Sequence, residues 1–456
     1  MSLKRVLVAN RGEIAVRVIR ACHAVGAEAI LAASEADLES RAARWADHVL
    51  CIGPGPSPKS YLSVDRIVGA ALAVRADALH PGYGFLAENP TLAARCEEHG
   101  VAFVGPSPKS IEEMGNKLRA RQVASDHGLP IVPGSDHVQD LAELRRIAES
   151  IGLPLLLKAA AGGGGRGMRV VRDSDELETA FLQAAAEARA AFGDPTLYVE
   201  RYFEQARHVE VQLLGDGQGG CLSLGERDCS VQRRHQKLIE ESPSPAVNPE
   251  TRARMAKAAT ELGRALEYRS AGTVEFLFDE SSQQFYFLEM NTRIQVEHPV
   301  TEMVSGLDLV AEQLRIAGGM PLPDWSGELR GHSIEARLNA EDPRRNFLPN
   351  AGRIVRWKPA VIDGVRYDTH CYSGYEVPVY YDSLLCKVIS HAPDRPSAID
   401  LLREALAKLV CTGIATNREF LLYVLGHPCF RAGLAHTTWL ERAGYPEWKE
   451  AVQRVA

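Results

Sequence analysis

The chain has 456 residues, 45% of them hydrophobic and 24% charged, with a mean hydropathy of -0.16, and this length predicts about three domains rather than one compact core. The net charge of -7 and the pI near 6.1 disfavour nucleic acid as the main partner. The nine cysteines form no CxxC pair, and the sequence shows neither a signal peptide nor the roughly 18 apolar residues in a row that span a membrane, so we expect a cytoplasmic protein with reduced thiols and no membrane partner.

The first hundred residues alternate short apolar runs with helical patterns. Strands are predicted at 6–9, 29–33, 76–79 and 101–104, and an amphipathic helix at 14–25. This βαβ order predicts a parallel sheet with helices on both faces.

The rest of the chain changes character twice. A helical stretch is predicted at 111–127, and a smaller αβ segment follows a break at 130–135 and extends to about residue 202. Further strands are predicted at 208–214, 273–278, 285–290 and 333–338, before a helix at 395–409. The predicted fold class is therefore α/β and α+β in several domains.

A glycine run lies between two predicted strands of the αβ segment. Gly162, Gly164 and Gly167 match GxGxxG, but a dinucleotide fingerprint must open a helix and 168–171 reads as a strand. A Walker A loop also fails, because its lysine follows the glycines and Lys158 precedes them. A flexible loop whose N–H groups bind ATP phosphates and close as a lid is favoured over a hairpin tip without a ligand.

Two glutamates are predicted to face each other in a hairpin over 272–293. If its turn centres on Ser282, Glu275 lies directly across from Glu289, and such Cβ atoms are about 4.5–5.5 Å apart. A divalent cation with oxygen ligands, Mg²⁺ or Mn²⁺, would relieve the repulsion. A turn of even length would instead place the two carboxylates on opposite faces.

Polar and apolar residues alternate after this hairpin. In an extended chain alternate side chains share a face, which predicts one row formed by Glu289, Asn291, Arg293, Gln295 and Glu297. The row begins at the predicted cation site and ends with a carboxylate. This order favours a cation, an anion binder and a base in succession over an ordinary solvated strand.

Four long motifs resemble biotin carboxylase: NRGEIA at 10–15, HPGYGF at 80–85, ERDCSVQRRHQK at 226–237 and EMNTRIQVEHP at 289–299. The resemblance extends from about residue 4 to residue 439. It implies an ATP-grasp fold of three parts. These are a Rossmann-like N-terminal domain at 1–113, a lid domain with the glycine loop at 131–203, and a strand-rich domain at 204–446 with the Mg²⁺, bicarbonate and biotin sites.

The resemblance also implies a nucleotide and metal site. The ATP phosphates would contact Lys117, Lys158, Gly162, Gly163, Gly164, Gly165 and Gly167. Adenine would meet the backbone of Glu200 and Arg201 and pack on Leu277, while His208, Gln232 and His235 would lie along the ribose and phosphates. The metal, two Mg²⁺ ions or Mn²⁺, would be held by Glu275, Glu289 and Asn291.

The remaining implied residues serve the chemistry. Bicarbonate would bind Lys237, Arg293, Gln295 and the backbone of Val296. The catalytic set would be Glu297 as general base, Arg337 to stabilise the biotin enolate, Arg293 and Lys237, with Tyr83 and Asp382 near biotin. These residue types suit a reaction in which ATP phosphorylates bicarbonate to carboxyphosphate, which then releases CO₂ beside biotin.

The expected partners are a biotin carboxyl carrier protein and carboxyltransferase subunits on separate chains, because no Met-Lys-Met segment is present. The resemblance implies a homodimer and favours acetyl-CoA carboxylase as the parent, with propionyl-CoA, methylcrotonyl-CoA and pyruvate carboxylase open. Two other functions are weighed: an ATP-grasp ligase that makes carboxyphosphate for an amine acceptor, and a catalytically silent subunit.

Three residues depart from the family pattern: Asn116 stands in place of Asp, Ala161 in place of Gly and Arg201 in place of Lys. None of the three removes a catalytic role. Cys229 is interpreted as a small buried residue, and His298 as a structural hydrogen-bonding one.

Overall fold

The computed structural model describes residues 3–159 and 168–455. Gly162, Gly163, Gly164, Gly165 and Gly167, together with Ala161, lie outside these ranges. Within the described ranges, no helix combines the length and the apolar character needed to cross a membrane.

The N-terminal domain is built on a parallel sheet of five strands in the order β3-β2-β1-β4-β5. Its elements are β1 (Arg5–Val8), α1 (Gly12–Ala24), β2 (Glu28–Ala33), α2 (Arg41–Trp45), β3 (His48–Cys51), α3 (Val64–Ala73), β4 (Ala78–His80), α4 (Pro90–Glu98) and β5 (Ala102–Phe103). The predicted parallel sheet and all four of its predicted strands are confirmed. The sequence analysis missed β3, a strand of four residues whose side chains are largely exposed.

The helical stretch predicted at 111–127 is confirmed, and the structure divides it into two helices, α5 (Pro108–Gly115) and α6 (Lys117–Asp126). Asn116 separates them with an extended backbone, φ -92° and ψ 113°. Its side-chain Oδ1 accepts a hydrogen bond from the Arg119 N–H at 3.1 Å and so caps α6.

A smaller domain carries the strands on either side of the glycine run. Its antiparallel sheet has the order β6-β9-β7-β8. The elements are β6 (Gly134–Val138), α7 (Leu141–Ile151), β7 (Leu155–Ala159), β8 (Met168–Val171), α8 (Leu177–Phe192) and β9 (Leu197–Arg201). Because a strand and not a helix follows the glycines, the rejection of a dinucleotide fingerprint is confirmed.

The largest sheet has eight antiparallel strands in the order β14-β13-β10-β11-β12-β15-β22-β20. These strands are β10 (Arg207–Asp216), β11 (Cys221–Arg233), β12 (Gln236–Ser242), β13 (Arg269–Asp279), β14 (Gln284–Asn291), β15 (His332–Asn339), β20 (Val365–Thr369) and β22 (Leu384–Ala392). Helices α9 (Pro249–Ala265), α10 (His298–Ser305), α11 (Leu309–Ala317) and α12 (Arg395–Lys408) connect or cover them.

Short elements complete the C-terminal part. They are β16 (Glu341–Asp342), β17 (Leu348–Pro349), β18 (Gly352–Arg353), β19 (Arg356–Lys358), β21 (Glu376–Val377), β23 (Val410–Thr412), α13 (Arg418–Gly426), α14 (Pro428–Arg431) and α15 (Tyr445–Val455), which a π-helical turn at Leu440–Gly444 precedes. A large apolar core under β15 and β22 unites this region.

The N-terminal domain packs directly on the large sheet. Val6 and Ile14 share one buried apolar cluster with Leu214, Ala271 and Leu309. A cleft of about 1300 Å³ opens between the N-terminal domain, the small domain and the large sheet. The fold therefore brings the carboxyl ends of β1 and β4 to the same cavity as the hairpin β13–β14.

We expect the substitution Asn116→Ala to lower the local unfolding free energy of α6 by about 1 kcal/mol, because the cap at the Arg119 N–H is lost. Native-state amide hydrogen exchange along α6 measures this change. Asn116→Asp keeps an acceptor at the same place and should preserve the protection. Equal exchange in the wild type and Asn116→Ala would show that the cap is unimportant.

Candidate active site

The hairpin β13–β14 places Glu275 directly opposite Glu289, as predicted. The reason differs from the prediction, because the turn at 280–283 has four residues and is not centred on Ser282. The pairing is regular from Asp279 with Gln284 at the turn to Phe276 with Phe287, and a β-bulge at Leu288 then shifts the register by one residue. The bulge restores the facing arrangement that a turn of even length would otherwise have destroyed.

The two opposed glutamates belong to a longer row of charges across the sheet. Glu210 on β10 pairs with Glu275 on one side and with Arg227 of β11 on the other. Arg227 has no exposed surface, and its guanidinium donates to Glu210 Oε1 at 2.5 Å and to Gln212, Thr273 and Thr301. A buried arginine with four of its five N–H donors engaged in this way anchors the inner end of the row.

Lys237 gathers three carboxylates of the site. Its Nζ lies 2.7 Å from Glu210 Oε2, 3.0 Å from Glu275 Oε1 and 2.7 Å from Glu297 Oε1. Burial opposes a charge on Lys237, but the carboxylates outweigh it and hold its pKa well above the usual value. Lys237 is therefore a fixed cation in the floor of the cleft.

Glu297 is completely buried and lies between two cations. Lys237 reaches its Oε1, and Arg337 Nη2 donates to its Oε2 at 3.0 Å. Burial raises the pKa of Glu297, but Lys237 and Arg337 outweigh this and hold it well below its usual value. Glu297 is therefore an ionised carboxylate that can accept a proton from a group bound above it.

Arg337 has a second carboxylate partner, since its Nε donates to Glu240 Oε1 at 2.6 Å. Glu240 faces Glu335 across β12 and β15, and both side chains are completely buried. Burial raises the pKa of Glu240 to about 7, and burial also raises that of Glu335 well above normal. Glu240 holds the guanidinium of Arg337 from one side, which leaves the other side directed at Glu297 and the cleft.

The predicted polar row beyond Glu289 is only partly extended, because β14 ends at Asn291 and the chain is irregular until α10 begins at His298. The side chains still form one connected set. Asn291 and Gln295 donate to Glu275 Oε1 at 2.9 and 3.2 Å. Arg293 donates to Gln295 Oε1 at 2.8 Å and to Asn291 Oδ1 at 3.0 Å.

The small domain and α6 contribute a second group of charges. Lys158 at the end of β7 and Arg121 on α6 both donate to the Glu200 carboxylate. Lys117, the first residue of α6, is exposed and its Nζ lies 3.9 Å from Glu289 Oε2. The N–H of Arg201 donates to Pro133 O at 2.8 Å, so a backbone contact from Arg201 to a ligand would use its carbonyl oxygen.

The cleft is lined by every predicted site residue within the described ranges. These are Tyr83, Lys117, Lys158, Glu200, Arg201, His208, Gln232, His235, Lys237, Glu275, Leu277, Glu289, Asn291, Arg293, Gln295, Val296, Glu297, Arg337 and Asp382. The predicted loop glycines lie outside the described residues.

The interpretations of Cys229 and His298 are confirmed. Cys229 is buried, its Sγ lies 3.8 Å from Glu297 Oε1, and burial holds its thiol pKa well above normal. His298 is buried, and its Nδ1 lies 2.7 Å from the carbonyl oxygen of Gln295. Neither residue lines the cleft.

Three buried residues of the site were missed from the sequence: Glu210, Arg227 and Glu240. A signal for Glu210 existed, because His208, Glu210 and Gln212 alternate along a predicted strand. Arg227 and Glu240 lie on strands that the sequence analysis did not predict, and their partners come from strands distant in the chain.

The hairpin fits a divalent cation. Glu275 and Glu289 are adjacent carboxylates on the cleft wall, and burial together with the charge of Glu275 raises the pKa of Glu289. A bound cation would relieve this repulsion. His208 Nε2 lies 3.0 Å from Glu275 Oε2, and His208, Glu210 and Glu275 form a compact group of metal-type ligands.

The fold and cleft define a class of protein, since the central part of the chain, residues 116–325, matches the family model "Carbamoyl-phosphate synthase L chain, ATP binding domain". This is the ATP-binding core of ATP-grasp ligases. Residues 2–111 match "Biotin carboxylase, N-terminal domain", and residues 335–442 match "Biotin carboxylase C-terminal domain". The chain therefore belongs to the biotin carboxylase family.

Curated relatives and solved structures match this chain over nearly its whole length. Biotin carboxylase 1 of Bacillus subtilis is 49% identical over 96% of this chain and 98% of its own. The biotin carboxylase of Haemophilus influenzae is 46% identical over 96% of this chain and 98% of its own.

Among solved structures, a biotin carboxylase-beta-gamma-ATP complex from Campylobacter jejuni is 45% identical with a TM-score of 0.89, covering 96% of this chain and 99% of the other. The biotin carboxylase domain dimer of Hydrogenobacter thermophilus 2-oxoglutarate carboxylase was solved with MgADP, ADP and bicarbonate. It is 46% identical with a TM-score of 0.88, and the match covers 97% of this chain and 98% of the other.

Proposed function

We propose that this chain uses Mg-ATP and bicarbonate to carboxylate the biotin of a carrier protein, giving ADP and phosphate. The observation that supports this most is Glu297, an ionised carboxylate buried between Lys237 and Arg337 at the floor of the cleft. The Hydrogenobacter domain was solved with the nucleotide and the anion that such a reaction needs.

The residues divide the reaction into two steps. In the first, Glu297 takes the proton of bicarbonate, whose oxygen attacks the γ-phosphate of ATP and releases ADP, so that carboxyphosphate forms. In the second, carboxyphosphate breaks into CO₂ and phosphate. The phosphate removes the N1 proton of biotin, and the resulting nitrogen attacks CO₂. Arg337, held by Glu240, stabilises the negative charge on the ureido oxygen with a planar pair of donors.

The bicarbonate subsite is proposed to consist of Lys237, Arg293, Gln295 and the backbone of Val296. Arg293 is held in place by Glu88, whose Oε2 accepts from its Nε at 2.9 Å. Biotin is proposed to lie near Tyr83 and Asp382, on the side of Arg337 that faces the N-terminal domain.

The nucleotide is proposed to lie between the small domain and the large sheet. Lys117, Lys158 and the loop glycines would bind phosphates, with Glu200, Arg201 and Leu277 at adenine and His208, Gln232 and His235 along the ribose and phosphates. Lys158 would exchange its contact with Glu200 for a phosphate oxygen.

Mg²⁺, as two ions, or Mn²⁺ is proposed to bind at Glu275, Glu289 and Asn291, where it would neutralise charge on the phosphates. Glu275 already accepts from Lys237, Asn291 and Gln295 on one oxygen and lies beside His208 on the other. A cation at Glu275 would therefore bind most readily at Oε2, the oxygen beside His208.

The wider assembly is also part of the proposal. The domain bounds are 1–113, 131–203 and 204–446, the chain forms a homodimer, and it acts with a carrier protein and carboxyltransferase subunits. Acetyl-CoA carboxylase is the favoured parent complex. Residues 1–456 hold nine free cysteines, which suits the reducing cytoplasm.

The first experiment is ATP hydrolysis with Mg²⁺ and bicarbonate, measured with and without free biotin. We expect hydrolysis that depends on bicarbonate and rises with biotin, because the nucleophile for CO₂ is then present. A hydrolysis rate that depends on bicarbonate but is the same with and without biotin would instead favour a ligase with an amine acceptor.

Glu297→Gln should lower biotin-dependent turnover by about 10²- to 10⁴-fold, because the amide cannot accept the bicarbonate proton. Nucleotide affinity, measured by equilibrium titration, should stay near that of the wild type. Glu335→Gln is the matched control, since the raised pKa of Glu335 keeps it neutral in the same buried region. Unchanged turnover in Glu297→Gln would exclude Glu297 as the base.

Glu289→Gln should raise the Mg²⁺ concentration that gives half-maximal activity, because one carboxylate ligand is lost. A titration of activity against Mg²⁺ at fixed ATP measures this. Glu250→Gln, at an exposed position on α9, removes the same charge far from the cleft and should leave the titration unchanged. Superimposable curves for wild type and Glu289→Gln would contradict a metal at the paired glutamates.

A further inference from the structure

The segment that carries Val296 rests on two buried basic side chains. Lys387 Nζ donates to the carbonyl oxygen of Val296 at 2.8 Å, and His298 Nδ1 lies 2.7 Å from the carbonyl oxygen of Gln295. Burial and the nearby cations Lys387 and Arg17 hold the pKa of His298 well below normal, so its ring is neutral and Nδ1 donates. Two successive peptide groups are thus held from beneath.

Lys387 occupies an unusual place for a lysine, because it has no exposed surface and lies in a central strand. On β22 it pairs with Arg337 of β15 on one side and with Asp368 of β20 on the other. Its Nζ lies 3.1 Å from Glu13 Oε2 and 3.8 Å from Asp368 Oδ2. A buried ammonium group needs such partners, because removing it from water costs free energy. An apolar side chain would fill the same space without that cost.

The contact continues into the N-terminal domain. Glu13 is the second residue of α1 in the NRGEIA motif, and its Oε1 accepts a hydrogen bond from the hydroxyl of Tyr83. Tyr83 lines the cleft on the side proposed for biotin. Tyr83, Glu13, Lys387 and Val296 thus form one buried chain from the proposed biotin side to the proposed bicarbonate side.

The orientation of these two peptide groups determines which N–H groups face the site proposed for bicarbonate. A trans peptide directs its C=O and N–H to opposite sides, so a carbonyl held below the cleft floor turns the N–H of the same peptide toward the cleft. Within residues 3–159 and 168–455, no acceptor is found for the Val296 and Glu297 N–H groups. Lys387 and His298 therefore direct the N–H groups of Val296 and Glu297 toward the site proposed for bicarbonate.

We propose that Lys387, fixed by Glu13, is a positioning residue that orients the Val296–Glu297 peptide for bicarbonate. This inference rests on the proposed function, because it assumes that bicarbonate binds above Val296. Lys387 touches neither substrate nor reacting atoms. It acts through the peptide and through the backbone of Glu297, and it couples the N-terminal domain to the anion subsite.

The test compares Lys387→Met with the paired change Glu13→Gln/Lys387→Met, which removes both charges and avoids an unpartnered buried carboxylate. Arg395→Met is the matched control, since Arg395 is a largely buried cation that pairs with Glu241 of the same sheet and does not touch Val296. Steady-state ATP hydrolysis gives KM for bicarbonate, KM for ATP and kcat. Line broadening of ¹³C-bicarbonate with Mg-ADP-loaded protein measures anion binding without turnover, and circular dichroism verifies the fold.

We expect KM for bicarbonate to rise about tenfold in both Lys387 variants, and the ¹³C broadening to weaken in parallel, because a charge-assisted contact that orients the subsite is lost. KM for ATP should stay unchanged, and Arg395→Met should match the wild type in all parameters. If Lys387→Met does not fold, the paired variant decides.

An unchanged KM for bicarbonate in a folded variant, or an equal change in Arg395→Met, would overturn the positioning role. If wild-type protein broadens the ¹³C signal but shows no biotin-dependent turnover, the proposed function fails while the binding data still decide the role of Lys387. A wild-type protein that binds no bicarbonate would overturn both.

Discussion

The site depends on one ammonium group shared by three buried carboxylates. Glu210 and Glu275 lie on neighbouring strands, and Glu297 approaches them from the chain that enters α10. Three negative charges at such distances could not stay ionised in a poorly hydrated interior without a cation among them. Lys237 supplies it, and as a result Glu297 keeps its charge and a fixed orientation even though it is sealed from bulk water.

The large antiparallel sheet explains the order of the groups around this lysine. Its outer strands β14 and β13 carry the paired glutamates, β12 carries Lys237 and Glu240, and β15 carries Arg337. The paired glutamates proposed for the metal and the arginine proposed for biotin therefore lie several strands apart on one face of the same sheet. Because each group is attached to a rigid hydrogen-bonded ladder, small displacements at one end are not absorbed by loops.

Local features of this protein could be predicted from sequence, and long-range ones could not. The facing of Glu275 and Glu289 depends on one hairpin and was predicted, although the prediction assumed a turn centred on Ser282 and the bulge at Leu288 was invisible. The contacts of Lys387 join β22 to α1 and to the turn before α10, across more than 90 residues of chain in the nearer case. No local sequence pattern predicts contacts between residues so far apart in the chain. The family resemblance named residues that touch ligands and was silent on the buried groups that hold them.

The bulge at Leu288 also bears on how this region can change in evolution. It lies between the solvent-exposed turn at 280–283 and the paired glutamates, so the pairing on the cleft side is set at the bulge and not at the turn. Insertions or deletions in the turn can therefore accumulate without moving the carboxylates. Because Leu288 is the extra residue of the bulge, its loss would leave Glu289 opposite Glu275 in a regular ladder. One further residue inserted beside it would turn Glu289 to the opposite face, so selection should act more strongly against insertion at this point than against loss of Leu288.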